Sequence, residues 1–161
     1  MLKWTRATLP LMLISALAVG CGDDDGTTGP TINDLAADWN MTAGTLTPNN
    51  AQIPQINLAT ISTIELDIAP DGDFELTVDV AGAPAPTVIT GTLEITGANT
   101  ANIINDADPG NPLPATFSLT NNNNTLTVQV NDAELLDITG DGQVTEADAG
   151  DLNITFARET T

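Results

Sequence analysis

The sequence has no histidine, no tyrosine and a single cysteine among its 161 residues. Lysine and arginine together number 3, against 22 aspartates and glutamates. Without histidine the chain cannot form a Ser-His-Asp triad, a Cys-His pair or a His-ligated zinc site. A single cysteine cannot form a disulfide within the chain, so the fold must be stabilised by packing. An enzyme built on this sequence would have to work with carboxylates alone.

The few basic residues lie near the two ends of the chain. Lys3 and Arg6 precede an apolar stretch from Ala7 to Val19, and the remaining base is Arg158. A short basic start followed by an apolar stretch is typical of a secretion signal. Thirteen helical residues span about 20 Å, which is short of the ~30 Å hydrocarbon core of a bilayer, so a permanent membrane helix is disfavoured.

Removal of residues 1–20 as a signal peptide would leave 22 acids and one base, a formal charge of 1 − 22 = −21. A surface with that charge repels phosphate groups, which excludes nucleic acids as partners. A Schiff-base lysine and a P-loop are excluded as well, because the remaining chain has no lysine. Adaptation to a salty habitat also produces such an acid excess, so the charge alone does not indicate a function.

Residues 17–21, Leu-Ala-Val-Gly-Cys, resemble a bacterial lipobox, in which small residues precede a cysteine that is acylated and becomes the new N-terminus. The resemblance implies that Cys21 anchors the protein to a membrane; the alternative is an ordinary signal peptide cut before a free thiol. Residues 21–30 are small and acidic and predict a flexible tether. In Gram-negative lipoproteins an aspartate after the cysteine favours the inner membrane. Gly22 stands there, so we expect a location in the cell envelope, at the outer membrane.

Beyond the tether, apolar residues recur at every second position and β-branched residues are abundant, which predicts strands. Turn residues separate the strands: Pro-Asp-Gly at 70–72, a proline- and glycine-containing loop from Asp106 to Pro114, and four asparagines at 121–124. The apolar positions of about eight predicted strands fall within 39–47, 64–68, 74–80, 89–95, 103–104, 117–119, 126–130 and 152–156.

Short strands joined by short turns, each with one apolar face, predict an all-β antiparallel meander closed into a small barrel. An open β-sandwich is the main alternative. Closure is favoured because a curled meander brings its first and last strands together and so removes both sheet edges. Thr31 followed by Asp34 predicts a capped helical turn before the first strand. The barrel domain is predicted to occupy residues 31–161.

The chain resembles the lipocalin-like domains of bacterial lipoproteins. The resemblance rests on residues 35–39, Leu-Ala-Ala-Asp-Trp, before the first strand, on the meander of hairpins, and on a closing strand from Leu152 to Arg158. Lipocalins place a tryptophan near the start of the barrel and a base near its end. The resemblance therefore implies that Trp39 and Arg158 meet where the barrel closes.

The inside of such a barrel has two interpretations. Eight strands can leave room for one small apolar ligand, whereas medium-sized aliphatic side chains can also fill the interior completely. Any ligand would be aliphatic, because Trp39 and three phenylalanines are too few for an aromatic binding platform. A glycosidase with two carboxylates is disfavoured, because acids such as Glu65 and Glu75 alternate with core residues and should face water.

Residues 137–148, Asp-Ile-Thr-Gly-Asp-Gly-Gln-Val-Thr-Glu-Ala-Asp, fit the twelve-residue EF-hand loop at most of its defined positions. Gly142 stands at the sharp turn, and the terminal aspartate resembles the dockerin version of the loop. Strand-like sequence follows where an EF-hand has a helix, so we expect an isolated calcium loop; a chance match in an acidic turn is the alternative. The predicted ligands are Asp137, Thr139, Asp141, Gln143 through its carbonyl, Thr145 and Asp148.

Taken together, these patterns predict a non-enzymatic, lipid-anchored barrel of the cell envelope with calcium as its cofactor. A carrier of a small aliphatic ligand is the first alternative, and a structural or adhesive surface module is the second.

Overall fold

The computed structural model describes residues 29–134 and 148–159. These residues contain nine strands and two short helices. In chain order the elements are α1 (Ile32–Leu35), β1 (Ala37–Pro48), β2 (Ile56–Asn57), α2 (Leu58–Ile61), β3 (Ser62–Ile68), β4 (Asp73–Val80), β5 (Thr87–Gly97), β6 (Thr100–Asn105), β7 (Leu113–Thr120), β8 (Thr125–Ala133) and β9 (Gly150–Arg158).

Eight of the strands close into an antiparallel barrel. Each strand from β3 to β8 pairs with the next one in sequence, and β1 pairs with β3 on one side and β9 on the other. The β1–β9 pairing runs from Trp39 opposite Arg158 to Pro48 opposite Gly150. β2 pairs with β1 outside the ring. The predicted all-β barrel is confirmed, and the open sandwich is wrong.

The alternation of apolar and polar residues decides which face of each strand lies inside. In β3 the apolar residues Ile64, Leu66 and Ile68 are buried, and Glu65 and Asp67 between them are exposed. Side chains from all eight strands of the ring contribute to one hydrophobic core inside the barrel. The fold thus follows from strand periodicity and from closure, which leaves neither β1 nor β9 as a free sheet edge.

The two predicted hairpin turns are present, and both use left-handed backbone. Gly72 has a φ of 96°, and its N–H donates to the carbonyl oxygen of Ala69 at 3.0 Å. Asn121, Asn122 and Asn123 have φ values of 55°, 55° and 62°. Asparagine adopts this conformation at lower cost than other residues with a side chain, because its short amide can hydrogen-bond locally. These turns hold β3 against β4 and β7 against β8.

The two ends of the barrel differ. One end carries α1, the end of β9 and the tight hairpin turns, and we call it the closed end. The opposite end, which we call the mouth, carries longer connections at 49–61, 81–86 and 106–112. β8 ends and β9 begins at the mouth. Among the described residues, α1 covers the closed end, and the cavity lining reaches the mouth at Asp108, Asp132 and Glu134.

Two elements near the mouth, β2 and α2, were not predicted. The side chain of Asn57 accepts a hydrogen bond from the Ala59 N–H at 3.1 Å and so caps α2. A helix of four residues is too short to show helical periodicity in the sequence. α2 matters for the interior because its first residue, Leu58, is fully buried.

The predicted loop from Asp106 to Pro114 was too long, because β7 begins at Leu113. Pro114 pairs in register with Asn102 of β6, and the pairing of β7 with β8 begins one residue later, at Ala115. Proline is tolerated here because it lies beyond the end of the β7–β8 ladder, where its missing N–H removes no hydrogen bond to β8.

Three carboxylates lie in one row on the outer surface of the barrel. Asp67 stands opposite Asp38 on β1 and opposite Glu75 on β4. Like charges directly opposite one another in a sheet are destabilising. The solvent-facing acids expected from the sequence therefore carry a cost in stability.

We expect Asp67→Asn to raise the free energy of unfolding by about 0.5–1 kcal/mol at low salt, because it removes two repulsive pairs. The gain should shrink in molar salt, which screens exposed charges. Urea denaturation at both ionic strengths measures it. Asp79→Asn is the matched control, since Asp79 is exposed but stands opposite Thr63 rather than an acid. An equal rise in the free energy of unfolding for the two variants would show that repulsion within the row of three carboxylates is not the cause.

Candidate ligand cavity

The barrel encloses a cavity of about 380 Å³. It is lined by inner-face side chains of β3 to β9 and, at the closed end, by Leu35. Most of these side chains are leucine, isoleucine, valine and alanine, with phenylalanines from β4, β7 and β9. The volume lies within the ~300–1,000 Å³ typical of small-molecule sites. Of the two interpretations of the interior, this volume favours room for a small ligand over a completely filled core.

The cavity exists because small side chains face each other across two neighbouring strands. Ala101 on β6 stands directly opposite Ala115 on β7, and both line the cavity. Each is almost fully buried, so neither faces solvent. Most of the other side chains that line the cavity are branched or aromatic, whereas these two contribute only methyl groups. The interior consequently stays open along β6 and β7.

The opposite half of the interior is packed. Leu58 of α2 is fully buried, and a Cβ built on Gly44 of β1 would lie 3.3 Å from its side chain. Leu46 and Ile64 are buried beside it in the same core. β1, which is described along its whole length, contributes no residue to the cavity. The cavity therefore lies off the barrel axis, towards β5 to β8.

Among the lining residues that the structure describes, those with polar side chains lie around the mouth. Asp108 accepts a hydrogen bond from the Asn111 amide at 2.7 Å, and Asp132 accepts one from the Asn49 amide at 2.8 Å. Asp132 occupies a β-bulge at the end of β8 with a φ of 54°. Glu134 follows it at the same end, and all three carboxylates are exposed. None of these residues is predicted as a site from the sequence.

The closed end is built around Trp39 and Arg158, which the structure brings together. The guanidinium carbon of Arg158 lies 4.8 Å from the centre of the Trp39 ring. The indole N–H of Trp39 donates to the carbonyl oxygen of Leu35 at 2.8 Å, and Arg158 donates to the carbonyl oxygen of Asp34. Both side chains thus hold the end of α1 over the barrel. A cation this close to an aromatic face contributes about 0.5–2 kcal/mol.

Asp34 completes the predicted cap of α1. Its carboxylate accepts hydrogen bonds from the backbone N–H of Thr31 at 2.8 Å and from the Thr31 hydroxyl at 2.7 Å. These bonds, the backbone one first, hold the pKa of Asp34 below its usual 3.8, and the charge of Arg158 lowers it further. The ionised carboxylate therefore favours the folded state.

Because the pKa of Asp34 is depressed in the folded state, its contribution is present above the unfolded pKa and is lost as pH falls through the folded value. We expect Asp34→Asn to lower the melting temperature at neutral pH, and we expect this effect to shrink as the pH falls below 3.8 and through the lowered pKa of folded Asp34. Thermal unfolding of both proteins across this range measures the difference. A gap that persists at low pH would show that ionisation of Asp34 is not the cause.

The other predicted sites lie largely outside the described residues. Cys21 and the predicted calcium ligands Asp137, Thr139, Asp141, Gln143 and Thr145 all belong to segments that the structure does not describe. Asp148, the last predicted ligand, is described: it is fully buried and lies two residues before β9. Within residues 29–134 and 148–159, no three acidic or cysteine side chains are grouped so as to hold a metal ion.

In the part of the chain that the structure describes, no helix has the length and apolar character needed to cross a bilayer.

A scan against models of known protein families finds no match for this sequence, and a search of curated proteins finds none either. The likeness to lipocalins therefore rests on architecture: the eight-strand antiparallel barrel fits a lipocalin-like fold. A shared fold does not assign a function, so the function has to be argued from the cavity itself.

Proposed function

We propose that this protein is a lipid-anchored, non-enzymatic barrel of the cell envelope that binds a small aliphatic ligand in its interior. The observation that carries the proposal is the cavity of about 380 Å³ beside Ala101 and Ala115. An unfilled apolar volume costs dispersion contacts, which an apolar ligand restores. Burial of each methylene contributes about 0.8 kcal/mol to binding.

The lining of the cavity also defines what can enter. A methylene group needs about the volume of a water molecule in the liquid, ~30 Å³, so a chain of about ten to twelve carbons fits in the cavity. No base lines the cavity among the described residues, and Arg158 lies at the closed end against Trp39. A buried anionic group would therefore find no partner inside. An aliphatic chain without a buried charge is the ligand that the interior suits.

A chain-length series tests this proposal. The full chain carrying Cys21→Ala, which removes the predicted acylation site, is loaded with the apolar dye N-phenylnaphthylamine, and linear primary alcohols displace it. Each added methylene should strengthen binding about fourfold until the cavity is full, near ten to twelve carbons. Absence of saturable dye binding, or affinity that follows alcohol hydrophobicity without any limit in length, would refute the proposal.

Two leucine substitutions locate the site. Ala115→Leu adds side-chain volume inside the cavity and should shorten the longest chain that still gains affinity by about two carbons. Thr116→Leu, at the neighbouring exposed position of β7, should leave the limit unchanged. If the two variants behave alike, the alcohols bind elsewhere.

Calcium binding at residues 137–148 is the second function that we propose, and it rests on the order of oxygen ligands in the sequence. Three of the predicted ligands, Asp137, Asp141 and Asp148, are carboxylates that repel one another, and calcium relieves the repulsion. Millimolar calcium should therefore raise the melting temperature by mass action, and Asp137→Ala with Asp141→Ala should abolish the rise. An unchanged melting temperature in the unmutated protein would refute this site.

Anchoring through Cys21 is the third part of the proposal, and it rests on the lipobox-like residues 17–21. A single acyl chain gives only marginal membrane binding, whereas several chains on one cysteine hold a protein almost irreversibly. The protein expressed in a bacterium that processes lipoproteins should partition into the detergent phase, and Cys21→Ala should move it to the aqueous phase. Aqueous partitioning of both proteins would refute the anchor.

A further inference from the structure

We propose that the aliphatic ligand carries a cationic head group that stays at the mouth of the barrel, as in an alkylammonium amphiphile. This inference rests on the proposed binding of an aliphatic chain and specifies the chemistry of its polar end. It joins two separate observations: a closed-ended apolar cavity, and carboxylates that line the same cavity where it opens.

Three carboxylates line the cavity at the mouth. Asp108 lies in the connection between β6 and β7, Asp132 occupies the bulge of β8, and Glu134 follows at the end of that strand. They reach the cavity from two neighbouring elements, so a head group emerging on this side of the mouth meets carboxylates. Amides of Asn111 and Asn49 each donate to one oxygen of Asp108 and Asp132, which orients both carboxylates.

The distribution of charge makes the mouth selective. After Arg6 the sequence has a single base, Arg158, and it lies at the closed end, with its guanidinium 4.8 Å from the centre of the Trp39 ring. The carboxylate of a fatty acid would therefore approach acids and meet no base at the mouth. A cation would be attracted there while its chain fills the apolar volume.

The test compares three probes of equal chain length: decylammonium, decanol and decanoate. Each displaces N-phenylnaphthylamine from the full chain carrying Cys21→Ala, at low ionic strength and below micelle-forming concentrations. Decylammonium should bind roughly tenfold more tightly than decanol, and decanoate should bind most weakly. The ratio between decylammonium and decanol should fall towards one in ~1 M salt, where the screening length is about 3 Å.

A pair of double variants separates the mouth from the general negative charge of the protein. Asp132→Asn with Glu134→Gln should remove most of the preference for decylammonium. Asp67→Asn with Glu75→Gln removes the same charge from the outer surface of β3 and β4 and should leave the preference intact. The preference is measured in each variant as the ratio of decylammonium affinity to decanol affinity, so that a change in the cavity common to both probes cancels.

Two results would overturn the inference alone: decanol binding as tightly as decylammonium, or equal loss of the preference in both double variants. In either case decanol would still displace the dye, and the proposed function would stand. Failure of all three probes to displace the dye would overturn the proposed function together with the inference.

Discussion

Replacing Trp39 with alanine should lower the free energy of unfolding by about 3–5 kcal/mol, the range found for large aromatic residues in protein cores. The Trp39 side chain is 1% exposed, so the substitution removes nearly all of its buried surface. It also removes the donor to the Leu35 carbonyl and the ring that Arg158 covers. α1 then loses one of the two side chains that hold it over the closed end. Urea denaturation followed by far-ultraviolet circular dichroism measures the loss without relying on tryptophan fluorescence.

Two further variants divide that loss into its parts. Trp39→Phe keeps an aromatic ring but removes the indole N–H, and it should cost less than the alanine variant. Val88→Ala is the control for a general effect of shortening an apolar side chain, because Val88 is 52% exposed, and it should change stability by less than about 0.5 kcal/mol. A loss below about 1 kcal/mol for Trp39→Ala would contradict the role of this residue in closing the barrel.

Ala115→Phe should weaken binding of the longest accepted alcohol by at least about a hundredfold, because the phenyl ring would occupy the volume that the chain needs. The same substitution should leave the folded protein as stable as before, or more stable. In a filled core, an added ring forces its neighbours apart and costs about 1–3 kcal/mol or more. Here the ring enters space that Ala101 and Ala115 leave open. Loss of binding and retained stability are therefore expected together.

Thr116→Phe is the matched control for this substitution, since it places the same ring on the exposed face of β7. It should leave alcohol binding unchanged. Strong destabilisation by Ala115→Phe, with no such effect in the control, would show that the interior beside Ala115 is already full. Retained alcohol binding in a stable Ala115→Phe protein would show that the ligand binds elsewhere.

The barrel could be predicted from the sequence because its strands alternate clearly. In residues 64–68 and 74–80 every second side chain is apolar, and the turn between them is marked by Pro-Asp-Gly. The meeting of Trp39 with Arg158 followed from the resemblance to lipocalins, and the structure places one directly opposite the other. Periodicity and turn chemistry are local signals, so a sequence reports them well.

The cavity could not be predicted in the same way, because it depends on register across strands. Ile103 and Ile104 are adjacent and both aliphatic, so alternation alone does not show which faces inward. The structure shows that Ile103 lines the cavity, which places Ala101 on the same inner face. Its partner Ala115 is then the second small residue of the pair. The sequence shows two alanines at these positions. The pairing of β6 with β7 shows that they lie opposite each other on the inner face of the barrel.

The packed half of the interior could not be predicted from the sequence either. Leu58 belongs to a helix of four residues between two strands, and nothing in its immediate sequence distinguishes it from a loop residue. Its burial against Gly44 is a contact between elements that strand periodicity does not report. The acids at the mouth could not be predicted as part of a site, because their position relative to the cavity depends on where β6 and β8 end.

A crystal structure of the protein under xenon pressure would show whether the apolar interior beside Ala101 and Ala115 is open to a ligand. Xenon enters dry apolar cavities and is identified by its strong scattering. We expect ordered xenon between the inner faces of β5 to β8, in contact with Ala115, and its loss in crystals of Ala115→Phe. An interior without xenon, with Phe117 and its neighbours packed into that volume, would show that the interior is filled and leaves no room for a ligand.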